Sequence, residues 1–183
     1  MIAFSGTAKK PLAQARSPVK VAGPFLSSMT LASLLSPDRV ISEMQAVEHW
    51  PAIVELVDHL VAGGHLPDHA RDSVLESLKN RETQRSTGIG SGIAIPHAFS
   101  DKVEDVVAIF GRSSQGIEFC ALDSAPVNFV VLFIVPQEQY ALHLRTLAAI
   151  AKILNSGEVR RLLADAGDTE DILSVLSKRP TRV

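Results

Sequence analysis

This 183-residue chain has little cysteine, no long apolar run and no excess of basic charge, and each of these features excludes a class of protein. Its one cysteine, Cys120, cannot form an intramolecular disulfide or a cysteine-based zinc site, which favours a reducing cytoplasm and disfavours secretion. The longest wholly apolar run, Phe129 to Val135, is far shorter than the roughly 18 residues that span a bilayer, so we expect no membrane insertion. The net charge of -2 comes without a basic stripe, so nothing suggests nucleic acid as a partner.

Acidic side chains are missing from residues 1–28, which hold four of the 18 basic residues, and the first acid is Asp38. A basic, acid-poor start can be an organelle transit peptide, but three prolines and the lack of a clear amphipathic helix argue against one. We expect residues 1–28 to be a flexible extension, or to precede a true start at Met29. Residues 29–183 are then expected to form one domain.

The remaining composition is that of a globular domain, with 46% apolar and 21% charged residues. Hydrophobic periodicity and turn signals predict helices over 50–61, 67–80, 138–154, 157–163 and 169–176, and strands over 39–46, 93–95, 106–110 and 127–135. Because the last strand is apolar on both faces, it should lie inside a sheet that is covered on both sides. The predicted fold class is α/β, a single layered domain whose mixed sheet has helices on both faces.

A glycine-rich segment precedes the most conspicuous histidine. Gly88, Gly90 and Gly92 alternate within 87–98, and closely spaced glycines can turn the backbone so that its N–H groups bind an anion. The spacing matches neither the dinucleotide fingerprint nor the Walker loop. The segment therefore predicts a phosphate-binding loop of a different kind.

His97 follows directly after Ile95-Pro96, at the end of a predicted strand. Proline fixes its own φ and keeps the preceding residue extended, so the imidazole has a rigid mount. A neutral imidazole is a nucleophile near neutral pH without a metal, since its ordinary pKa is about 6.5. A rigid histidine beside an anion-binding loop is suited to phosphoryl chemistry.

The same residues carry a resemblance to a known family. Arg81-Glu82 and Ser86-Thr-Gly-Ile-Gly-Ser-Gly-Ile-Ala-Ile-Pro-His97 resemble the active-site signature of phosphotransferase-system enzyme IIA domains of the fructose/mannitol and nitrogen-regulatory type. The resemblance continues through 123–136 and the helix with His143, and spans roughly 31–176. Ala98 stands where these domains commonly have glycine.

The resemblance implies that His97 accepts a phosphoryl group on Nε2 from a histidine phosphocarrier protein, without any cofactor or metal. It places His143 and Arg81 beside His97, where an imidazole and a guanidinium can stabilise the transferred negative charge. It also implies that Gly88, Gly90, Gly92 and Ala98 form the phosphate-binding loop. Ser91 replaces an acid or amide found in several relatives, so a hydrogen bond to the His97 ring should be altered.

Each site residue also has a structural interpretation. His97 could be a packing residue beside a proline, His143 could cap the edge of the core, and Arg81 could stabilise a helix C-terminus. We interpret His49, His59, His65 and His69 as solvated residues rather than metal ligands, and Cys120 as a buried apolar residue.

Three functions remain open. The domain could regulate other proteins through its phosphorylation state, pass phosphate to a IIB cysteine during sugar uptake, or be a binding module without chemistry. The sequence carries no IIB, IIC or carrier domain, and from Met29 it starts as the standalone regulators do. We therefore expect a regulator whose target is unknown.

Overall fold

The structure is a computed structural model that describes residues 31–177. Two short 3-10 turns, Leu31–Leu34 and Pro37–Arg39, precede the first strand, and a third, Asp68–Ala70, precedes the second helix. The strands are β1 (Val40–Ile41), β2 (Gly88–Gly90), β3 (Ile93–Ala94), β4 (His97–Ser100), β5 (Val107–Ile117) and β6 (Val127–Pro136). The helices are α1 (His49–Ala62), α2 (Arg71–Gln84), α3 (Tyr140–Leu154), α4 (Gly157–Asp165) and α5 (Thr169–Ser177).

The strands form one mixed sheet in the order β1-β5-β6-β3-β2. The long strands β5 and β6 are antiparallel, whereas β3 and β4 both run parallel to β6, one after the other along its length. His97 is in register with Phe133, and Ile93 is in register with Phe129. Consequently, the chain that carries the glycines and His97 lies along one side of the central strand.

Helices cover both faces of the sheet, as predicted. Val130, Leu132 and Ile134 of β6 pack toward the core that α1 and α2 complete. Val131, Phe133 and Val135 pack toward α3, α4 and α5. Each of these six side chains is fully buried, so β6 is the interior strand that its apolar sequence predicts.

The predicted strand over 39–46 is wrong beyond Ile41. The N–H of Met44 still donates to the Arg112 carbonyl of β5, but the next two backbone N–H groups, of Gln45 and Ala46, donate to the Glu55 carboxylate of α1 at 2.8–3.2 Å. A side-chain acceptor thus replaces the neighbouring strand. The sequence also failed to predict the short strands β2 and β4, and β5 extends seven residues past the predicted end, Phe110, to Ile117.

The expectation for residues 1–28 lies outside the described residues. Within the described part, no helix is long and apolar enough to cross a membrane. In the same residues, no group of three or more His, Cys, Asp or Glu side chains is arranged to hold a metal ion.

Candidate functional site

His97 is the first residue of β4 and is buried, with 8% of its surface exposed. Its ring stacks on Phe133, the residue opposite it in β6, with 5.4 Å between ring centroids. The preceding segment is fixed by two backbone hydrogen bonds, from Ile95 N–H to Thr87 and from Phe133 N–H to the carbonyl of Pro96. The rigid mount that the sequence predicts is therefore present.

The two nitrogens of the His97 ring have different partners. Nδ1 lies 2.8 Å from the backbone carbonyl of Ile95, and a carbonyl oxygen can only accept, so Nδ1 carries the proton. Nε2 accepts a hydrogen bond from Nε of Arg81 at 3.1 Å, which requires a free lone pair on that nitrogen. The neutral tautomer is thereby fixed with its nucleophilic nitrogen at Nε2.

Arg81 reaches His97 from the last turn of α2. Its Nη1 donates to the carbonyl of Arg85 at 2.9 Å, beyond the end of the same helix, while Nε is directed at the imidazole. One side chain thus satisfies a helix-terminal carbonyl and places a positive charge at Nε2. The structural and functional interpretations of Arg81 are compatible.

His143 approaches from the opposite face of the sheet, in the first turn of α3. Its ring centroid lies 4.8 Å from that of His97, and it also contacts the rings of Phe99 and Phe133 at 5.0 and 5.7 Å. Its Nε2 is buried and has no hydrogen-bond partner among the described residues. A buried polar atom without a partner, beside a nucleophilic ring, is suited to contact an incoming ligand.

The surroundings keep both imidazoles neutral. Burial lowers the pKa of His97 below its usual value; the positive charge of Arg81 and the neighbouring His143 lower it further, against the opposing effect of the Ile95 carbonyl. Burial also lowers the pKa of His143, with a further contribution from Arg81. A neutral ring with an unprotonated Nε2, next to a cation, can accept an electrophilic group that carries negative charge once the Arg81 hydrogen bond is released.

The family follows from comparison with known proteins. Residues 33–179 match the family described as "Phosphoenolpyruvate-dependent sugar phosphotransferase system, EIIA 2". The chain belongs to this family. A nitrogen regulatory protein of Bradyrhizobium diazoefficiens is 30% identical over 152 residues, covering 83% of this chain and 97% of that protein. The fructose-specific EIIA component of Haloferax volcanii is 35% identical over 141 residues, which cover 74% of this chain and 90% of that protein.

A solved structure also has the same fold. The crystal structure of nitrogen regulatory protein IIA-Ntr from Neisseria meningitidis superposes with a TM-score of 0.72 at 25% identity, over 80% of this chain and 98% of that one. The α/β fold with a mixed sheet is therefore that of the EIIA type 2 family, as the sequence resemblance implied.

Sequence reasoning missed a pair of polar side chains, Glu82 and His49, next to the segment that leads to His97. Glu82 Oε1 accepts the backbone N–H of Thr87 at 2.7 Å and lies 3.0 Å from Nε2 of His49. His49 is half-buried against the ring of Phe119, so its interpretation as a solvated residue is wrong. Burial raises the pKa of Glu82, but the nearby His49 ring and the hydrogen bond from Thr87 outweigh it, and the net shift is downward.

The glycines do not lie against the imidazole. They form a tight β2–β3 hairpin whose Gly92 carbonyl accepts from Phe129 N–H, and Phe129 is four residues, or about 13 Å of strand, from Phe133 beside His97. The N–H of Ser91 at the turn already donates to Asp123 at 2.8 Å. At this turn the Asp123 carboxylate is the hydrogen-bond acceptor, and Ala98 packs into the core. The phosphate-binding loop of Gly88, Gly90, Gly92 and Ala98 stays a prediction.

The remaining expectations have mixed outcomes. His65 pairs with Asp38, His59 Nε2 lies 3.0 Å from the backbone carbonyl of the same residue, and His69 is exposed. Cys120 is exposed rather than buried, because its positive φ of 54° turns the chain outward after β5. None of these side chains contacts His97.

Proposed function

We propose that His97 accepts a phosphoryl group on Nε2 from the phosphohistidine of a carrier protein, and that the phosphorylated state regulates partner proteins. The observation that carries this proposal is the fixed tautomer, in which Ile95 holds the Nδ1 proton and the unprotonated Nε2 accepts a hydrogen bond from Arg81. EIIA-family membership supplies the class of donor. The single cysteine and the proposed carrier-dependent chemistry support a cytoplasmic location.

The proposed step needs no general base. The bond between phosphorus and the donor's ring nitrogen breaks as the bond between phosphorus and His97 Nε2 forms, and the donor leaves as a neutral imidazole. The proton on Nδ1 stays where the Ile95 carbonyl holds it. Negative charge spreads over the three equatorial oxygens in transit, where Arg81 of α2 and Nε2 of His143 of α3, when it carries the ring proton, supply hydrogen-bond donors.

The acceptor assignment is tested by incubating the protein with phosphoenolpyruvate, enzyme I and the histidine phosphocarrier, followed by intact-mass measurement. We expect the mass of one phosphoryl group, labile in acid and stable in alkali. His97→Gln should abolish it, while His69→Gln, which removes an exposed imidazole outside the site, should not. Labelling that survives in His97→Gln, or none in the intact protein, would reject the assignment, and the latter outcome favours a binding module without chemistry.

The choice between regulator and relay depends on what the phosphorylated site binds. The nitrogen regulatory relatives support the regulator as the first choice, and the fructose-specific EIIA relative supports the relay to a IIB cysteine as the second. Two exposed apolar side chains on α3, Tyr140 and Leu144, form a rim beside His143 on which either kind of partner can dock. A phosphoryl group adds about -1.5 to -2 charges next to this rim.

A regulator and a relay respond differently to that charge. A regulator needs a durable complex in one state, which charge at the interface forms or breaks, whereas a relay needs brief encounters in both states. We therefore expect affinity capture with His97→Gln to retain a partner that the phosphorylated protein releases, or the reverse. Identical capture in both states, with rapid transfer to a IIB cysteine from the same organism, would establish the relay instead.

A further inference from the structure

A cavity of about 440 Å³ opens between the sheet and α4, away from the phosphoryl-acceptor site. Three arginines line it, Arg112 of β5 with Arg160 and Arg161 of α4, together with Ser114, Asn128 and Phe129. Phe129 is four residues before Phe133 in β6, so the cavity lies about 13 Å along the strand from the ring that stacks on His97. It is a separate site.

The sheet arginine, Arg112, is held in place by backbone carbonyls and not by an acid. Its Nε donates to Ser42 at 2.7 Å, and its Nη1 donates to Leu163 and Ala166 at 3.0 and 2.6 Å. Its Nη2 donates to no residue in the described part of the chain. Because one edge of the guanidinium is fixed, the rest is preorganised and lacks a counter-ion.

Arg160 follows the same pattern on the facing helix. Its Nη1 donates to the carbonyl of Leu154 at 2.7 Å, and no carboxylate within residues 31–177 pairs with it. The third arginine, Arg161, is exposed and forms an ion pair with Asp165 at 3.2 Å. The nearest acid on the sheet side, Glu43, accepts two hydrogen bonds from Ser114. Two uncompensated guanidinium groups therefore line one cavity.

From this arrangement we propose that the cavity binds a small phosphorylated metabolite. Planar guanidinium groups with free N–H donors match phosphoryl oxygens, and arginine is the usual residue for bidentate phosphate recognition. The volume is in the range of small-molecule sites, and Phe129 and Asn128 provide apolar and hydrogen-bonding contacts for the rest of the ligand. The site goes beyond the phosphoryl-acceptor function and does not depend on it.

The test is a titration of the full-length 15N-labelled protein with inorganic phosphate at constant ionic strength, followed by NMR. We expect a saturable set of shift changes at Ser114, Asn128 and Ala164, distinct from any set around His97. Arg160→Gln should weaken the binding at the cavity by about tenfold. Arg145→Gln, which removes an equal charge from an exposed position on α3, should leave it unchanged.

A second pair of variants controls for folding. Ala164 lines the cavity and is exposed, so Ala164→Glu and Ala164→Gln add side chains of the same size that differ only in charge. We expect Ala164→Glu to abolish phosphate binding and Ala164→Gln to reduce it less. The proposal is overturned if phosphate perturbs only the residues around His97, if it perturbs none, or if the two variants bind equally. Failure of phosphorylation at His97 would leave these measurements unaffected.

Discussion

Replacement of Arg81 by glutamine is the most direct test of the electrostatics of the site. The variant removes a guanidinium whose Nε lies 3.1 Å from the acceptor nitrogen of His97. Two effects follow. The positive charge that helps to lower the pKa of His97 is lost, so that pKa should rise while remaining below the usual value because of burial. Phosphoryl transfer to His97 should also slow.

The size of the kinetic effect follows from what Arg81 does before and during transfer. One preorganised donor to a charged transition state contributes about 10²–10³ in rate. In the resting protein, however, Arg81 already donates to the Nε2 lone pair, and this hydrogen bond must break before phosphorus can approach. Only the difference between the two interactions accelerates the reaction. We therefore expect the transfer rate to fall by about 10²-fold, the lower end of that range.

The assay is rapid-quench phosphorylation of the protein by phosphorylated carrier, with the pKa of His97 measured by NMR titration of its ring. Arg85→Gln is the matched control, because only the backbone carbonyl of Arg85 contacts Arg81. Arg81→Lys keeps the charge but not the fork geometry, and should recover part of the rate. A folded Arg81→Gln protein with normal rate and unchanged His97 pKa would refute the reasoning.

Three further predictions test the same structure. His143→Phe keeps the ring contacts but removes a buried donor, so quench kinetics should show transfer slowed about 10²-fold; a normal rate would make His143 structural. Because the folded-state pKa of His97 is lowered, its stability contribution is complete above the unfolded pKa of about 6.5 and is lost as pH falls toward the folded value. The free energy of unfolding, measured with urea, should fall by up to about 1.4 kcal/mol for each pH unit in this range. Its dependence on pH should be weaker in His97→Gln, and equal dependence in the two proteins would contradict the prediction. Gly88→Ala places a Cβ 2.8 Å from Ala121 Cα, so thermal unfolding should show a loss of stability of about 1–3 kcal/mol. In Gly157→Ala the new Cβ is near only the end of the Arg160 side chain, at 3.8 Å, so the stability should not change.

The sequence predicted the number and order of the five α-helices because each buries one face, but the second, predicted over 67–80, lies four residues later, at Arg71–Gln84, after a 3-10 turn. The predicted first helix, 50–61, differs from α1 by one residue at each end, since its apolar side chains recur with the helical period. The strands were harder to predict. β2 and β4 have three and four residues, too few for an alternation to be recognised, and the strand predicted over 39–46 fails through a side chain, Glu55, that is distant in sequence.

For the candidate site, too, local features could be predicted from the sequence and tertiary contacts could not. His97 and its rigid mount could be predicted locally, because Pro96 directly precedes it. Arg81 lies 16 residues away and reaches His97 only through the packing of α2 against β4, so its role came from the family resemblance alone. The contacts of His49 with Glu82 and Phe119 are also tertiary, and no pattern in the sequence indicates them.

The buried position of His97, the proposed acceptor, constrains how a donor can reach it. His97 is 8% exposed, its ring packs in one cluster with the rings of Phe133 and His143, and its lone pair is occupied by Arg81. Phosphorus and the Arg81 N–H cannot both occupy the lone-pair direction of Nε2, so Arg81 Nε has to leave it as the phosphoryl group arrives. Its hydrogen bond to the Arg85 carbonyl keeps the guanidinium nearby during this change. Burial is the main cause of the lowered pKa of His97, and Arg81 adds to it. In the proposed step the same cation then binds the oxygens of the transferred group, which is why its removal should change both the pKa of His97 and the rate.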